Sequence, residues 1–215
     1  MLLDGLKNTI IITLGALLIG IVLGTAVAVI KFLAEEKPAL KPLAWLCNVY
    51  VTVVRGVPVV VLLLIFYFVI LRSADGIVTG IVAFGINSGA YMAEIIRGGI
   101  NAVDGGQTEA ARSLGFNRMA AMRFVVLPQA VKNILPAIGN EMIALLKETS
   151  IISMVGATVG TLTFDLNAAS NTVFRKVPNF LASGLIAGVF YLAVVYLMVF
   201  LIKLIEKRMK ASDKR

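Results

Sequence analysis

With 59% hydrophobic residues in 215 and only 15% charged ones, the chain is too apolar for a soluble domain, in which about a quarter of residues are charged. Its net charge of +8 sits beside apolar stretches rather than in a polar groove interleaved with aromatics, which excludes a nucleic-acid partner and points to membrane topology. Histidine is absent and Cys47 is the one cysteine, so the usual general base, a thiolate metal cluster and an internal disulfide are all excluded.

The reading is therefore an all-α integral membrane protein with one transmembrane domain over residues 1–215. The first span is expected over residues 9–32, long enough for about 30 Å of hydrocarbon. Its apolar run exceeds that of a cleaved signal and no small-residue cleavage site follows, so it reads as a retained helix. Gly20 and Gly24 form a small-xxx-small pair that permits close helix contact, or are ordinary glycine content of a membrane helix. The charged, proline-broken loop at residues 31–42 ends this helix. A second span over residues 43–71 carries Arg55, Gly56, Val57 and Pro58, and an arginine and a proline there are too costly for a lipid-facing rod. That turn must face protein or water, and a proline kink with Arg55 reaching the interface is preferred over solute contact.

The third span, residues 77–100, carries Asn87, Ser88, Tyr91, Glu94 and Arg97 near helical spacing, so one face is wet or buried in protein. Gly80 and Gly85 are not part of a phosphate loop, because no Gly-Lys-Ser/Thr follows and no strand precedes. Residues 107–128 then turn polar and charged within the oily chain. In a helix, Leu114 lies near Phe116, Met119, Ala120 and Met122, while Arg112, Asn117, Arg118 and Arg123 supply a basic surface, the pattern of an amphipathic element at a membrane face.

The spacing here is specific: Glu109-Ala110-Ala111, three residues, Gly115, nine residues, Val125, one residue, then Leu127-Pro128. It resembles the EAA loop of permease subunits of bacterial ATP-binding-cassette importers, with Val125 where that family usually has isoleucine. The Arg55-Gly56-Val57-Pro58 segment and Lys147-Glu148-Thr149-Ser150 are similar to segments of the branch that takes up polar amino acids such as histidine, glutamine and arginine. The resemblance implies a type I importer permease with five transmembrane helices and a cytoplasmic coupling helix within residues 101–123. It further implies that Glu109, Ala110, Ala111, Leu114, Gly115, Arg118 and Pro128 form the ATPase-coupling loop. Gly115 is expected to be its hinge and Glu109 to cap its helix, with Gln107 or Thr108 sharing the capping.

The implied partners are ATPase subunits, a second permease subunit that is either a copy or a relative, and an extracytoplasmic amino-acid-binding protein. ATP and magnesium would be held by the ATPase, and no cofactor or metal by this chain.

The fourth span, residues 127–147, is interrupted in this reading by Pro136 and Gly139. A polar run with a short helix leads to Pro178, and a fifth span at residues 180–205 ends in a basic tail. Placing the loop at residues 31–42, the EAA-like loop and the tail together, with Arg97 and Lys203 at the span ends beside them, gathers thirteen Lys and Arg on one side against five on the other. That bias predicts a multi-pass inner-membrane protein with its N-terminus outside and its C-terminus in the cytoplasm.

A zwitterionic solute needs opposed partners in a low-dielectric cavity. Candidates are Asn87, Ser88 and Tyr91 in the third span and Asn140 and Glu141 after Pro136, with Glu148, Thr149, Ser150 and Asp165 toward the outer mouth. Two or more acids on the path would favour a cationic side chain. Equally, Asn87 and Ser88 can bond neighbouring helices and Glu141 can pair with Lys132 or Lys147. Other classes remain open: a hydrolase using Ser88 or Ser150, disfavoured without histidine, or an ATP-independent channel using Glu94, Arg97 and Glu141. So does a permease of the same superfamily for a metal complex or a sulfonate.

Overall fold

A computed structural model describes residues 2–155, 165–175 and 180–212, and every regular element among them is helical. Helix α1 (Leu2–Ala34) begins seven residues before the predicted span, because its polar first turns bury Asn8 and Thr9 against protein instead of lying in solvent.

The second predicted span is two helices, α2 (Lys41–Gly56) and α3 (Val59–Ile65), bent by 107° where they meet. Pro58 has no amide hydrogen to continue α2, and it forces Val57 into an extended conformation (φ −97°, ψ 133°). A kink within one rod was expected; the chain instead changes direction. A π-helical turn, Phe66–Ile70, follows α3.

Helix α4 (Gly76–Asn101) starts at Asp75, whose carboxylate accepts from the Ile77 amide at 2.7 Å. It lies along α1, with Gly20 against Ser88 and Gly24 against Met92. A Cβ on Gly20 would stand 2.7 Å from Ser88 Oγ, and one on Gly24 would meet Met92 Cβ and the Ala93 amide. Close approach is thus what these two glycines supply, which decides between the two readings of the small-xxx-small pair.

Helix α5 (Gly105–Ser113) and the single turn α6 (Arg118–Ala121) are joined through Gly115, the described residue with positive φ (90°). A second π-helical turn, Met122–Val126, leads into α7 (Leu127–Glu148). The predicted interruption at Pro136 does not occur: α7 continues through it, held from outside where Gly139 packs on Ile202 of the last helix. After a 3₁₀ segment, Thr149–Val155, come α8 (Leu166–Arg175) and α9 (Phe180–Ser212).

The core sits where α1, α3, α4 and α7 meet, around Ile12, Ala16, Leu63, Phe84 and Leu145. A second cluster joins Val27, Cys47, Val51 and Ala93 from α1, α2 and α4.

Among the described residues, three helices are long and apolar enough to cross a membrane, and four spans result if the bent pair counts as one. The predicted total of five is not reached by that measure. The missing one is α7, helical for 22 residues but diluted by Lys132, Asn133, Asn140, Glu141 and Lys147.

Candidate functional site

Two regions carry the polar chemistry. The first is the loop from α5 to α7. Asp104, followed by two glycines, caps α5 by accepting from the Gly106 amide at 2.7 Å. This corrects the expected cap: Glu109 lies in the second turn, too far along to reach the free first-turn amides, and Gln107 and Thr108 are likewise inside the helix.

Gly115 takes up the left-handed conformation predicted for a hinge-like turn, and its amide donates to Arg112 O at 3.0 Å. Nothing lies near a Cβ built there, so backbone conformation alone demands glycine. Of the EAA residues, Ala111 is buried, whereas Glu109 and Ala110 are exposed, as is Pro128 at the start of α7.

Leu114 is 81% exposed and Phe124 63%, with Phe116 and Met119 also open to solvent. Exposed apolar side chains on an otherwise polar loop fit contact with a partner protein or with the membrane face.

The basic set predicted for this surface divides. Arg112 and Arg123 are exposed, but Asn117 is consumed as the cap of α6, accepting from the Ala120 amide at 2.8 Å. Arg118 turns inward: its Nη2 donates to Glu35, its Nε lies 3.7 Å from Glu36, and its guanidinium stands 4.9 Å from the centre of the Phe32 ring. These contacts are partly exposed, so the pairs contribute about 1 kcal/mol or less each to stability. They fix direction more than they stabilise. The adjacent Glu35-Glu36 in the 31–42 loop was the signal for this contact, but sequence alone did not say which cation would answer it.

The second region is the polar face of α4. Ser88 is fully buried and its hydroxyl donates to Glu141 Oε1 at 2.8 Å, joining α4 to α7 and bringing together two of the predicted candidates. Neither Lys132 nor Lys147 is the partner that the Glu141 carboxylate shows. Glu148, two turns along α7, lies within electrostatic reach of Glu141, so two acids share one side of that helix. Asn87 is buried beside Ser88, and Tyr91 is partly open, while Asn140 points to an exposed position.

One turn below, Glu94 is ringed by cations. Arg97 Nε donates to it at 3.1 Å, Arg55 approaches to 3.9 Å and Lys31 to 4.0 Å. The Arg55 guanidinium also lies 5.2 Å from the centre of the Tyr91 ring. The Arg55 side chain is 42% exposed, so it reaches the surface beside the bend between α2 and α3, with its charge matched by Glu94.

The outer candidates fare differently. The hydroxyls of Thr149 and Ser150 return to Leu146 O and Lys147 O at 2.8 and 2.7 Å, as side chains ending a helix do. Asp165 is fully buried and caps α8: it accepts from the amides of Asn167 and Ala168 at 3.0 Å each and from the Tyr191 hydroxyl at 3.2 Å. Burial pushes its carboxyl up to about 6 although these donors favour the ionised form. Its placement is that of a structural cap rather than of a group open to an outer mouth, because α8 supplies the amides that consume both oxygens.

A helical membrane scaffold, a loop with the EAA spacing and a polar seam between α4 and α7 are the features of a membrane transport subunit. Residues 20–211 match the binding-protein-dependent transport system inner membrane components, and the chain belongs to this family of permease subunits of ATP-binding-cassette importers, whose ATPase is a separate chain. It is 36% identical to ArtQ of Bacillus subtilis (strain 168), an arginine transport system permease protein, over 99% of this chain and 94% of that one. It is 38% identical to a protein of Rickettsia conorii provisionally named a glutamine transport system permease, GlnP, over 96% of this chain and 91% of that one. The solved structure of an amino acid ABC transporter with histidines is similar at a TM-score of 0.86 and 37% identity, covering 96% of this chain and 93% of that chain. The MetNI methionine transporter, at 21% identity and a TM-score of 0.79 over 97% of this chain and 95% of that chain, shares the fold.

Proposed function

We propose that this permease carries polar amino acids inward, and that those with a cationic side chain are its preferred cargo. The observation that carries the solute class is similarity along nearly the whole chain to permeases named for arginine and glutamine transport. Preference for a cation is supported by Glu141 and Glu148 on one side of α7, with Glu141 held toward α4 by Ser88. Asn87 and Tyr91 flank that seam and are the polar groups a zwitterion's own charges would meet.

In this reading two permease subunits, identical or related, enclose the path. An extracytoplasmic binding protein delivers the solute, and each ATPase receives the exposed Leu114, Phe116 and Met119 face in a groove. ATP-driven closure of the ATPases moves the two loops together and the helices alternate which side of the cavity is open. The thirteen-to-five bias of basic residues supports an outside N-terminus and a cytoplasmic loop and tail.

The test is reconstitution in liposomes with the ATPase and receptor proteins, measuring uptake of each of the twenty amino acids. ATP-dependent uptake led by arginine, lysine or histidine is expected. An assembled complex that hydrolyses ATP yet imports none of the twenty would overturn the reading.

A further inference from the structure

The coupling loop is joined to membrane helices along the chain at both ends, to α4 through residues 102–104 and to α7 through the Met122–Val126 turn. A further attachment is not covalent, and it leads to a different helix.

Arg118 reaches across 83 positions of sequence to the last turn of α1 and the loop after it, pairing with Glu35 and Glu36 while lying over the Phe32 ring. Three features make this contact a tie rather than incidental surface pairing. First, it is built from a planar cation held on two sides by carboxylates and on one face by an aromatic ring, a geometry that lysine cannot reproduce. Second, it spans a cleft of about 450 Å³ between the loop and the ends of α1 and α4, lined by Phe32, Glu35, Ile100, Thr108, Arg118 and Met122, so the ion pairs bridge a gap at this point. Third, the Arg118 side chain is 33% exposed where Leu114 is 81%, so the loop offers Leu114 to its surroundings and keeps Arg118 for the rest of the chain.

The same turn of α1 carries Lys31, whose Nζ lies 4.0 Å from Glu94, and Glu94 in turn meets Arg55 at 3.9 Å, just before the 107° bend at Pro58. Charged contacts thus run from the loop, through the end of α1, to the point where α2 turns into α3.

We infer that Arg118 is a positioning residue that ties the coupling loop to the α1–α2 elbow through Glu35, Glu36 and Phe32, so that ATPase motion drives α1 and the α2–α3 bend together with α7. This rests on the permease reading, and the parental complex tests that reading by itself. If the parental protein shows no ATP-dependent uptake, the permease reading fails. If it does, the variants judge the tie.

Arg118→Glu should lower arginine uptake about tenfold and raise the ATP hydrolysed per solute imported, the size expected when a coupling contact worth one decade is lost. The swap Arg118→Glu with Glu35→Arg and Glu36→Arg should recover uptake to within about threefold of the parental rate, and Arg118→Lys should fall between. Parental uptake and coupling in Arg118→Glu overturn the tie, and so does an assembled swap variant that recovers nothing, which would place the partner of Arg118 on another chain.

A second arm holds if Arg118→Glu fails to assemble. In a Cys47→Ala background, Glu35→Cys with Arg118→Cys should transport poorly until a short bifunctional thiol reagent links the two, and then recover. Uptake that stays low or falls further on linking overturns the inference, because a tie that moves as one body tolerates a permanent link.

Discussion

Helix α4 and the outer part of α9 are both apolar stretches of 26 residues, yet they occupy opposite environments. The most apolar 18-residue stretch of α4 has a mean hydropathy of 1.3 and is 67% buried, whereas that of residues 184–209 in α9 reaches 2.7 and is 6% buried. The less apolar helix is the interior one. In water the order would be reversed, but lipid solvates leucine as well as a core does, so apolarity costs nothing on the outside and polar groups gather where protein can satisfy them. Hydropathy in this chain therefore reports burial inversely, and departures from it, Asn87, Ser88 and Glu94, mark the side of α4 that faces protein.

The largest effect should come from breaking the interior side of this contrast. Gly24→Ala pushes a methyl into Met92 and the Ala93 amide and is expected to cost about 1–3 kcal/mol, with Gly24→Leu preventing assembly altogether. Thermal unfolding in detergent and co-purification with the ATPase measure both.

Next is the coupling loop. Gly115→Asp should lower ATP-driven uptake about tenfold at normal expression, since a side chain at φ 90° costs roughly 1–2 kcal/mol of backbone strain. Gly115→Asn should be the mildest change, because Asn tolerates that conformation best. A loss in the Asp variant far beyond that in the Asn variant would point to charge rather than to the backbone.

A smaller effect is a pH dependence at Asp165. Its folded carboxyl titrates at about 6 against an ordinary 3.8, so the stability it contributes is present below about pH 4 and is lost as pH rises through about 6. Asp165→Asn lacks this titration and keeps one of the two cap acceptors, a loss that does not vary with pH. The stability of the parental protein relative to the variant should therefore fall between pH 4 and pH 7, as read by thermal unfolding; a constant difference would remove the buried-carboxyl account. At the exposed side of the contrast, Val189→Leu on α9 should change stability by less than about 0.5 kcal/mol, since its side chain is 64% exposed.

Much of this was legible in the sequence where one residue type has one physical outcome. The bounds of α4 fell within a residue of those predicted, because Asp75 caps one end and apolar periodicity carries the rest. Gly115 was readable because few residues tolerate its turn, and the family was readable from the spacing around it. What sequence left open was partner choice. Pro58 announced a break but not a 107° bend, which depends on how Leu63 seats in the core among Ile12, Phe84 and Leu145. Pro136 announced a break that packing against α9 abolishes. The cap of α5 is Asp104 and not Glu109, because Asp104-Gly105-Gly106 precedes the helix whereas the carboxylate of the family motif lies inside it. Arg118 and Asp165 each had several plausible partners, and only the folded chain brings Glu35 or the α8 amides to them.

The central claim is that the buried polar seam between α4 and α7 lies on the solute path and selects for a cation. It is tested most directly by Glu141→Gln in liposomes containing the assembled importer, with arginine and glutamine uptake measured side by side. The substitution keeps the size of the side chain and an acceptor for Ser88 while removing the charge. Arginine uptake should fall about tenfold, as expected for loss of one opposed charge in a low-dielectric site, with glutamine uptake within about twofold of the parental rate. Arginine uptake at the parental rate, or an equal fall for both solutes, would contradict the account.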